Sequence, residues 1–191
     1  MIARQDPPRF KPLAEHEMSE AQRKVYGEIA SGPRGGVRGP FSALLRSPEL
    51  ADRAQRLGEY VRFDSSIPER LKEFAILITA RHWTAQYEWH AHHAHAMKAG
   101  LKPGIAEELA QGRRPAGMND DEEAVYDFCK ELHENKSVSD CSYAAALGKF
   151  GERGVVDLIA ISGYYTLVSM VLNVDRRPLP GEAAPPLREI K

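Results

Sequence analysis

The chain has 191 residues, 42% of them hydrophobic, which suits one compact domain with a buried core. Its formal net charge of −1 and pI of about 6.7 leave no basic excess, so we expect no nucleic-acid partner. No apolar run approaches the ~18 residues of a membrane span, because the most apolar segment, 155–173, is interrupted by Asp157, Ser162 and Asn173. Residues 1–12 lack the apolar segment of a signal peptide. A cytoplasmic protein with no membrane association is therefore expected. Cys129 and Cys141 form no CxxC motif, so no disulfide or cysteine metal site is predicted.

The N-terminal third is predicted to be an extended arm, a helix and a loop. Residues 1–17 are rich in proline and charge, which predicts an arm without regular structure. Ser19 and Gln22 fit a capping box that opens a helix. Four glycines and two prolines then make residues 32–40 a loop. Arg34 and Arg38 of this loop can meet an anionic ligand, although a solvated loop is the simpler interpretation.

The central third predicts a helix pair. One helix begins at Ser47-Pro48, with proline in the first turn, and Ser66 with Glu69 fits a second capping box before a strongly apolar helix. A break is predicted near residues 83–85, after which helix signal continues through His95 and stops at Gly100.

The last third predicts further helices and a tail. Helices begin after Asn119 and Ser139, and the very apolar segment 155–173 is interpreted as a core helix or an oligomer contact. Residues 176–191 contain four prolines and are predicted to lie extended over their own or a neighbouring subunit. No segment alternates with the period of a strand. The fold class is therefore all-α, in a single domain spanning 1–191.

Residues 73–95 hold the densest group of side chains that titrate near neutral pH. At roughly 100° per residue, Glu88, His92 and His95 fall at roughly 0°, 40° and −20° on a helix, and therefore share one face. His90 and His93 point elsewhere. A carboxylate four residues before a histidine can raise its pKa, against the effect of burial, and form a proton-transfer pair. The same spacing also describes an ordinary surface pair, and Glu88, His92 and His95 are weak candidates for a metal site.

Glu73 is the second notable acid, because its neighbours in the helix are apolar. A carboxylate buried among them would need a partner. Tyr87 and Trp89 can supply aromatic walls, whereas Trp83 is better explained by core packing.

The stretch resembles the carboxymuconolactone decarboxylase and alkylhydroperoxidase D superfamily. The peroxidase branch carries a glutamate, eleven intervening residues and then C-x-x-C-x-x-x-H. Glu73 is followed after eleven residues by AQYEWHAH, so Glu73 and His92 match the acid and the histidine. Ala85 and Glu88 stand at the two cysteine positions. Residues 98–101, KAGL, are also similar to the family, and the resemblance covers about residues 41–110.

The resemblance implies an alkylhydroperoxidase-D-like helical bundle that forms a homo-oligomer, often a trimer or hexamer. Without the two cysteines, the thiol chemistry of peroxidases and peroxiredoxins is disfavoured. The cofactor-free decarboxylase branch, a lyase acting on a carboxylated lactone from aromatic degradation, is the better match. In that interpretation Glu88 and His92 transfer protons, Glu73 orients His92, and Arg81 or Arg38 anchors the anionic substrate beside Tyr87. A non-catalytic oligomer that binds a ligand or metal is the remaining alternative.

Overall fold

A computed structural model describes residues 7–181 and 183–188 of the chain. Within these ranges the structure has eight α-helices and no strand, which confirms the all-α prediction. In chain order the helices are α1 Glu20–Ser31, α2 Phe41–Leu44, α3 Pro48–Glu59, α4 Glu69–His82, α5 Gln86–Lys98, α6 Pro103–Ala110, α7 Asp120–Asn135 and α8 Asp140–Asp175.

Helix α4 lies at the centre of the structure. Its eleven consecutive residues Leu71–Arg81 are all buried, and the helix packs against α5, α7 and α8. A helix that is apolar on most sides needs neighbours on most sides, which explains this central position. Three charged residues, Lys72, Glu73 and Arg81, are carried into the interior by the same helix.

The capping box predicted at Ser19 is present, whereas the one predicted at Ser66 is not. At α1 the Ser19 hydroxyl accepts from Gln22 N–H at 3.2 Å, while Ser19 N–H donates to Gln22 Oε1 at 2.8 Å. The predicted capping box at α4 is wrong, because α4 begins at Glu69 without a side-chain cap. Ser66 instead donates to Asp157 Oδ2 from both its N–H and its hydroxyl, each at 2.7 Å.

The region of α8 was predicted to hold two helices, one after Ser139 and one over 155–173, and both are present. Gly151 has φ 67° and ψ 179°, a non-helical conformation that favours glycine, so α8 consists of two helical segments joined by a kink at Gly151. Helix α8 is long and apolar enough to cross a membrane by length and composition alone. More than half of its most apolar 18-residue stretch is buried against the rest of the chain, as in a core helix.

The two ends of the described chain are attached to its own helices. The N–H groups of Arg9 and Phe10 donate to Asp175 at the end of α8, both at 2.8 Å. Gln86 and Leu187 exchange two hydrogen bonds of 2.8 and 2.9 Å, which fixes the tail beside the start of α5. The parts of the predicted arm and tail at 1–6, 182 and 189–191 lie outside the described residues.

Candidate active site

A tight turn between α4 and α5 brings the predicted residues together. α4 ends at His82 and α5 begins at Gln86, as the predicted break requires. Thr84 takes φ 47°, an uncommon conformation for a β-branched residue, and the turn is secured by a 2.9 Å bond from Ala85 N–H to Ala80 O. With so short a connection the two helices pack side by side, so Glu73 meets a residue nineteen positions later.

His92 is held between two carboxylates in the interior. Its Nδ1 donates to Glu73 Oε2 at 2.7 Å, and its Nε2 lies 3.0 Å from Glu88 Oε1. The exposed fractions are 6% for His92 and 3% for each glutamate. The pair Glu88–His92 is therefore a buried ion pair and not the surface pair that the same spacing allows.

The surroundings of His92 stabilise its charged form. Burial disfavours the imidazolium, but the charge of Glu88 and the hydrogen bond with Glu73 outweigh this effect and raise the His92 pKa from 6.5 to about 9. At neutral pH the ring is thus protonated on both nitrogens and donates to both carboxylates. The protonated Nε2 of His92 therefore lies within hydrogen-bond distance of the Glu88 carboxylate.

A cavity of about 410 Å³ opens beside this cluster. Glu88 and His92 line it, whereas Glu73 lies behind His92 and does not. Its walls come from four places in the chain, and the residues are Arg34, Gly36, Arg38, Gly39, Pro40, Phe41, Arg62, Tyr87, Ala91, His95, Tyr164, Tyr165 and Val168. The glycine-rich loop at 32–40 is one of these walls, so it is not merely a solvated connection.

Three arginines make this cavity electropositive. Arg34 lies with its guanidinium 4.9 Å from the Phe41 ring centroid and donates from Nη2 to the Tyr164 hydroxyl at 3.4 Å. Arg62 Nη2 is 3.4 Å from His95 Nε2. Within the described ranges neither these two nor Arg38 forms an ion pair with a carboxylate, so their charges are available to a ligand.

Two adjacent tyrosines of α8 complete the wall opposite α5. The Tyr165 ring meets His92 edge-on, with centroids 5.0 Å apart, and Tyr164 meets Tyr165 in the same way at 5.2 Å. Burial raises the pKa of both phenols, and the Glu88 charge raises that of Tyr165 further. Both therefore stay neutral and can donate a hydrogen bond.

The structure brings most of the predicted residues to one place. Glu73, Glu88 and His92 form the cluster, and Arg38 and Tyr87 line its cavity. Arg81 does not, because it lies in a separate cavity between α4 and α7. His90 and His93 line a third cavity, consistent with their predicted directions.

Three contributors were not predicted. Arg62 belongs to a π-helical segment, Tyr60–Asp64, that follows α3, and nothing in the sequence indicates this geometry. Tyr164 and Tyr165 carried a usable signal, since two adjacent phenols in a very apolar helix need polar surroundings for their hydroxyls.

The weak metal prediction concerned Glu88, His92 and His95. No group of three or more histidine, cysteine or acidic side chains is arranged to hold a metal ion in the part of the chain that the structure describes. The His95 ring is 6.0 Å from that of His92 and has a guanidinium as its neighbour.

Searches with protein-family models and against curated proteins find no match for this chain.

Proposed function

We propose that the chain is a cofactor-independent acid–base enzyme, similar to carboxymuconolactone decarboxylase, that acts on a small carboxylated substrate such as a lactone. The observation that carries the proposal is the buried Glu73–His92–Glu88 cluster, which opens on a cavity with three arginines that have no carboxylate partner among the described residues. Perturbed titratable groups beside a cavity are typical of catalytic sites.

The residues have distinct roles in this proposal. The arginines hold the substrate carboxylate and the oxygen on which negative charge develops. When the carbon–carbon bond to the carboxylate breaks, CO₂ leaves and the electron pair of that bond stays on the substrate as a conjugated enolate. Glu88, the carboxylate that lines the cavity, delivers a proton from His92 to the enolate carbon, and a solvent proton then restores His92. Glu73 keeps the imidazole in position.

Turnover of carboxylated lactones by Glu88→Gln tests the proposal. We expect release of CO₂ by the unmodified protein and a loss of roughly 10²–10⁴-fold in the variant, the usual range for a general acid–base group. Glu69→Gln is the matched control, since Glu69 is exposed at the start of α4. Full activity of Glu88→Gln would contradict the assignment. Binding of these carboxylates without any turnover would instead favour the non-catalytic alternative.

The peroxidase alternative requires a reactive thiolate. Cys129 is fully buried, and its surroundings raise its pKa to about 12. Cys141 is exposed, but it lies in α8 and outside the His92 cavity. We therefore expect one thiol per native chain to react with a disulfide reagent, and no loss of thiol at Cys129 on treatment with peroxide.

We also propose a homo-oligomer, a trimer or hexamer by the family resemblance. Exposed apolar side chains follow one another along α8 at helical spacing. Val156 is 62% exposed, Ile159 48%, Met170 42% and Val174 53%. A stripe of this length on a helix is typical of a subunit contact.

A further inference from the structure

Arg81 is a buried charge without a counter-ion in the part of the chain that the structure describes. Its exposed fraction is 3%, and its Nε and Nη1 atoms are inaccessible to solvent and have no hydrogen-bond acceptor in the described ranges. Buried guanidinium groups are almost always paired, because an isolated charge in the protein interior is strongly unfavourable. Burial accordingly lowers the pKa of Arg81.

The guanidinium lies at a cavity of about 260 Å³ between α4 and α7. None of the residues lining this cavity lines the cavity beside His92. Its volume is below the roughly 300–1,000 Å³ of sites for drug-sized ligands, and it equals that of several water molecules at about 30 Å³ each. The space therefore suits a small ion with some water.

The other groups at this cavity leave the charge of Arg81 uncompensated. Lys130 and Glu134 pair with each other at 2.6 Å and cancel. His133 is neutral at pH 7, because burial and then the His82 charge lower its pKa to about 4. His82 stacks on His133 with ring centroids 4.9 Å apart, and burial lowers its pKa too.

His133 also has a defined hydrogen-bonding direction. The Thr79 hydroxyl donates its one hydrogen to Ala75 O at 3.0 Å, so at 2.9 Å it accepts from His133 Nε2–H. The cavity further includes Tyr126, whose phenol burial keeps protonated by raising its pKa. Among the described residues, the lining thus has an unpaired cation, Arg81, together with a phenol that can donate a hydrogen bond.

We propose that this cavity is a second anion site, in which a small oxyanion, phosphate or carboxylate, binds the Arg81 guanidinium. Planar guanidinium groups are suited to such oxyanions. This inference does not depend on the activity proposed for the His92 cavity.

The test compares thermal unfolding in inorganic phosphate, in acetate and in chloride at matched ionic strength. Ligands that bind only the folded state raise its stability, so we expect the Tm of the unmodified protein to rise with phosphate or acetate beyond the chloride control. The stronger of the two identifies the oxyanion. The arginines of the His92 cavity also attract anions, so Arg62→Met should remove the part of the rise that belongs to that cavity and retain the part that belongs to Arg81.

The effect of Arg81→Met on stability should differ in sign between solutions without and with the oxyanion. Without an oxyanion it should be at least as stable as the unmodified protein, because it removes an unpaired buried charge. It should bind the oxyanion roughly tenfold or more weakly, the loss expected for a charge-assisted hydrogen bond. Should Arg81→Met fail to fold, the His82 and His133 ring signals of the unmodified protein provide a second test by NMR, since an oxyanion in the cavity shifts both saturably. Equal Tm values and unchanged ring signals in all three salts would overturn the proposal, as would a carboxylate of a partner subunit paired with Arg81 in a crystal structure.

Discussion

The protonation of His92 should depend on both of its carboxylate partners, and Glu73→Gln tests this most directly. The amide oxygen of glutamine can still accept from His92 Nδ1–H, so the variant removes a charge and keeps the contact. The rise of the His92 pKa from 6.5 to about 9 corresponds to about 3 kcal/mol in favour of the charged ring. Loss of one neighbouring opposite charge should lower that pKa by about 1–3 pH units.

NMR titration of the histidine ring signals between pH 5 and 10 measures this pKa. His92→Gln identifies the signal by its absence. Glu88→Gln should also lower the pKa, and Glu69→Gln should leave it unchanged because Glu69 is exposed and outside the cluster. The double variant Glu73→Gln, Glu88→Gln removes both charges, so burial becomes the dominant effect and the His92 pKa should fall below 6.5.

The same pKa predicts how stability varies with pH. A histidine whose pKa is raised on folding stabilises the folded state fully below about pH 6.5, and this contribution is lost as the pH rises to about 9. The unmodified protein should lose about 3 kcal/mol of unfolding free energy across this window, and Glu73→Gln should lose less. A His92 pKa that stays near 9 in Glu73→Gln would refute this account of the cluster.

Three further substitutions test other parts of the structure. Gly58→Ala places a Cβ 2.1 Å from the Tyr164 hydroxyl, so we expect a loss of about 1–3 kcal/mol by chemical denaturation, whereas Gly27→Ala, with nothing within 4 Å, should cost nothing. Asp157→Asn weakens three hydrogen bonds and should lower the free energy of unfolding by about 1–3 kcal/mol at pH 7. Hydrogen bonds from Ser66 and Tyr60 lower the Asp157 pKa against the effect of burial. The difference in stability between the unmodified protein and Asp157→Asn should therefore be lost as the pH falls below 3.8 and Asp157 becomes protonated. Ile159→Glu on the exposed stripe of α8 should yield monomers by light scattering at an unchanged helix content, and an unchanged particle mass would contradict the proposed subunit contact.

Helix types, starts and the shared face of the cluster were accessible from the sequence because they depend on local chemistry. Proline in a first turn, a serine cap and apolar spacing act within a few residues, and α1, α3 and α5 follow them. The failure at Ser66 shows the limit of this reasoning. Its hydroxyl binds Asp157, ninety-one residues away, and a long-range acceptor replaced the local one.

The contents of the site were only partly predictable for the same reason. The spacing of Glu88 and His92 fixed their common face, but burial by Tyr165 decides whether they form a surface pair or a perturbed one. Arg38 lines the cavity because a glycine-rich loop is free to fold over a neighbour. Arg62 and Arg81 could not be assigned, because neither the π-helical segment nor the packing of α4 against α7 has a local signature.

Both cavities carry an excess of positive charge. The cluster around His92 carries one net negative charge at neutral pH. Its cavity also holds Arg34, Arg38 and Arg62, which have no carboxylate partner in residues 7–181 and 183–188, so the balance there is positive. The cavity at Arg81 is positive as well. Replacing buried ionic groups by apolar ones of similar size is often neutral or stabilising, so stability alone gives little reason to keep them. Each cavity instead has a positive charge that an anionic ligand would neutralise on binding. The cavity at His92 also has a protonated imidazole that can supply a proton, whereas the cavity at Arg81 does not.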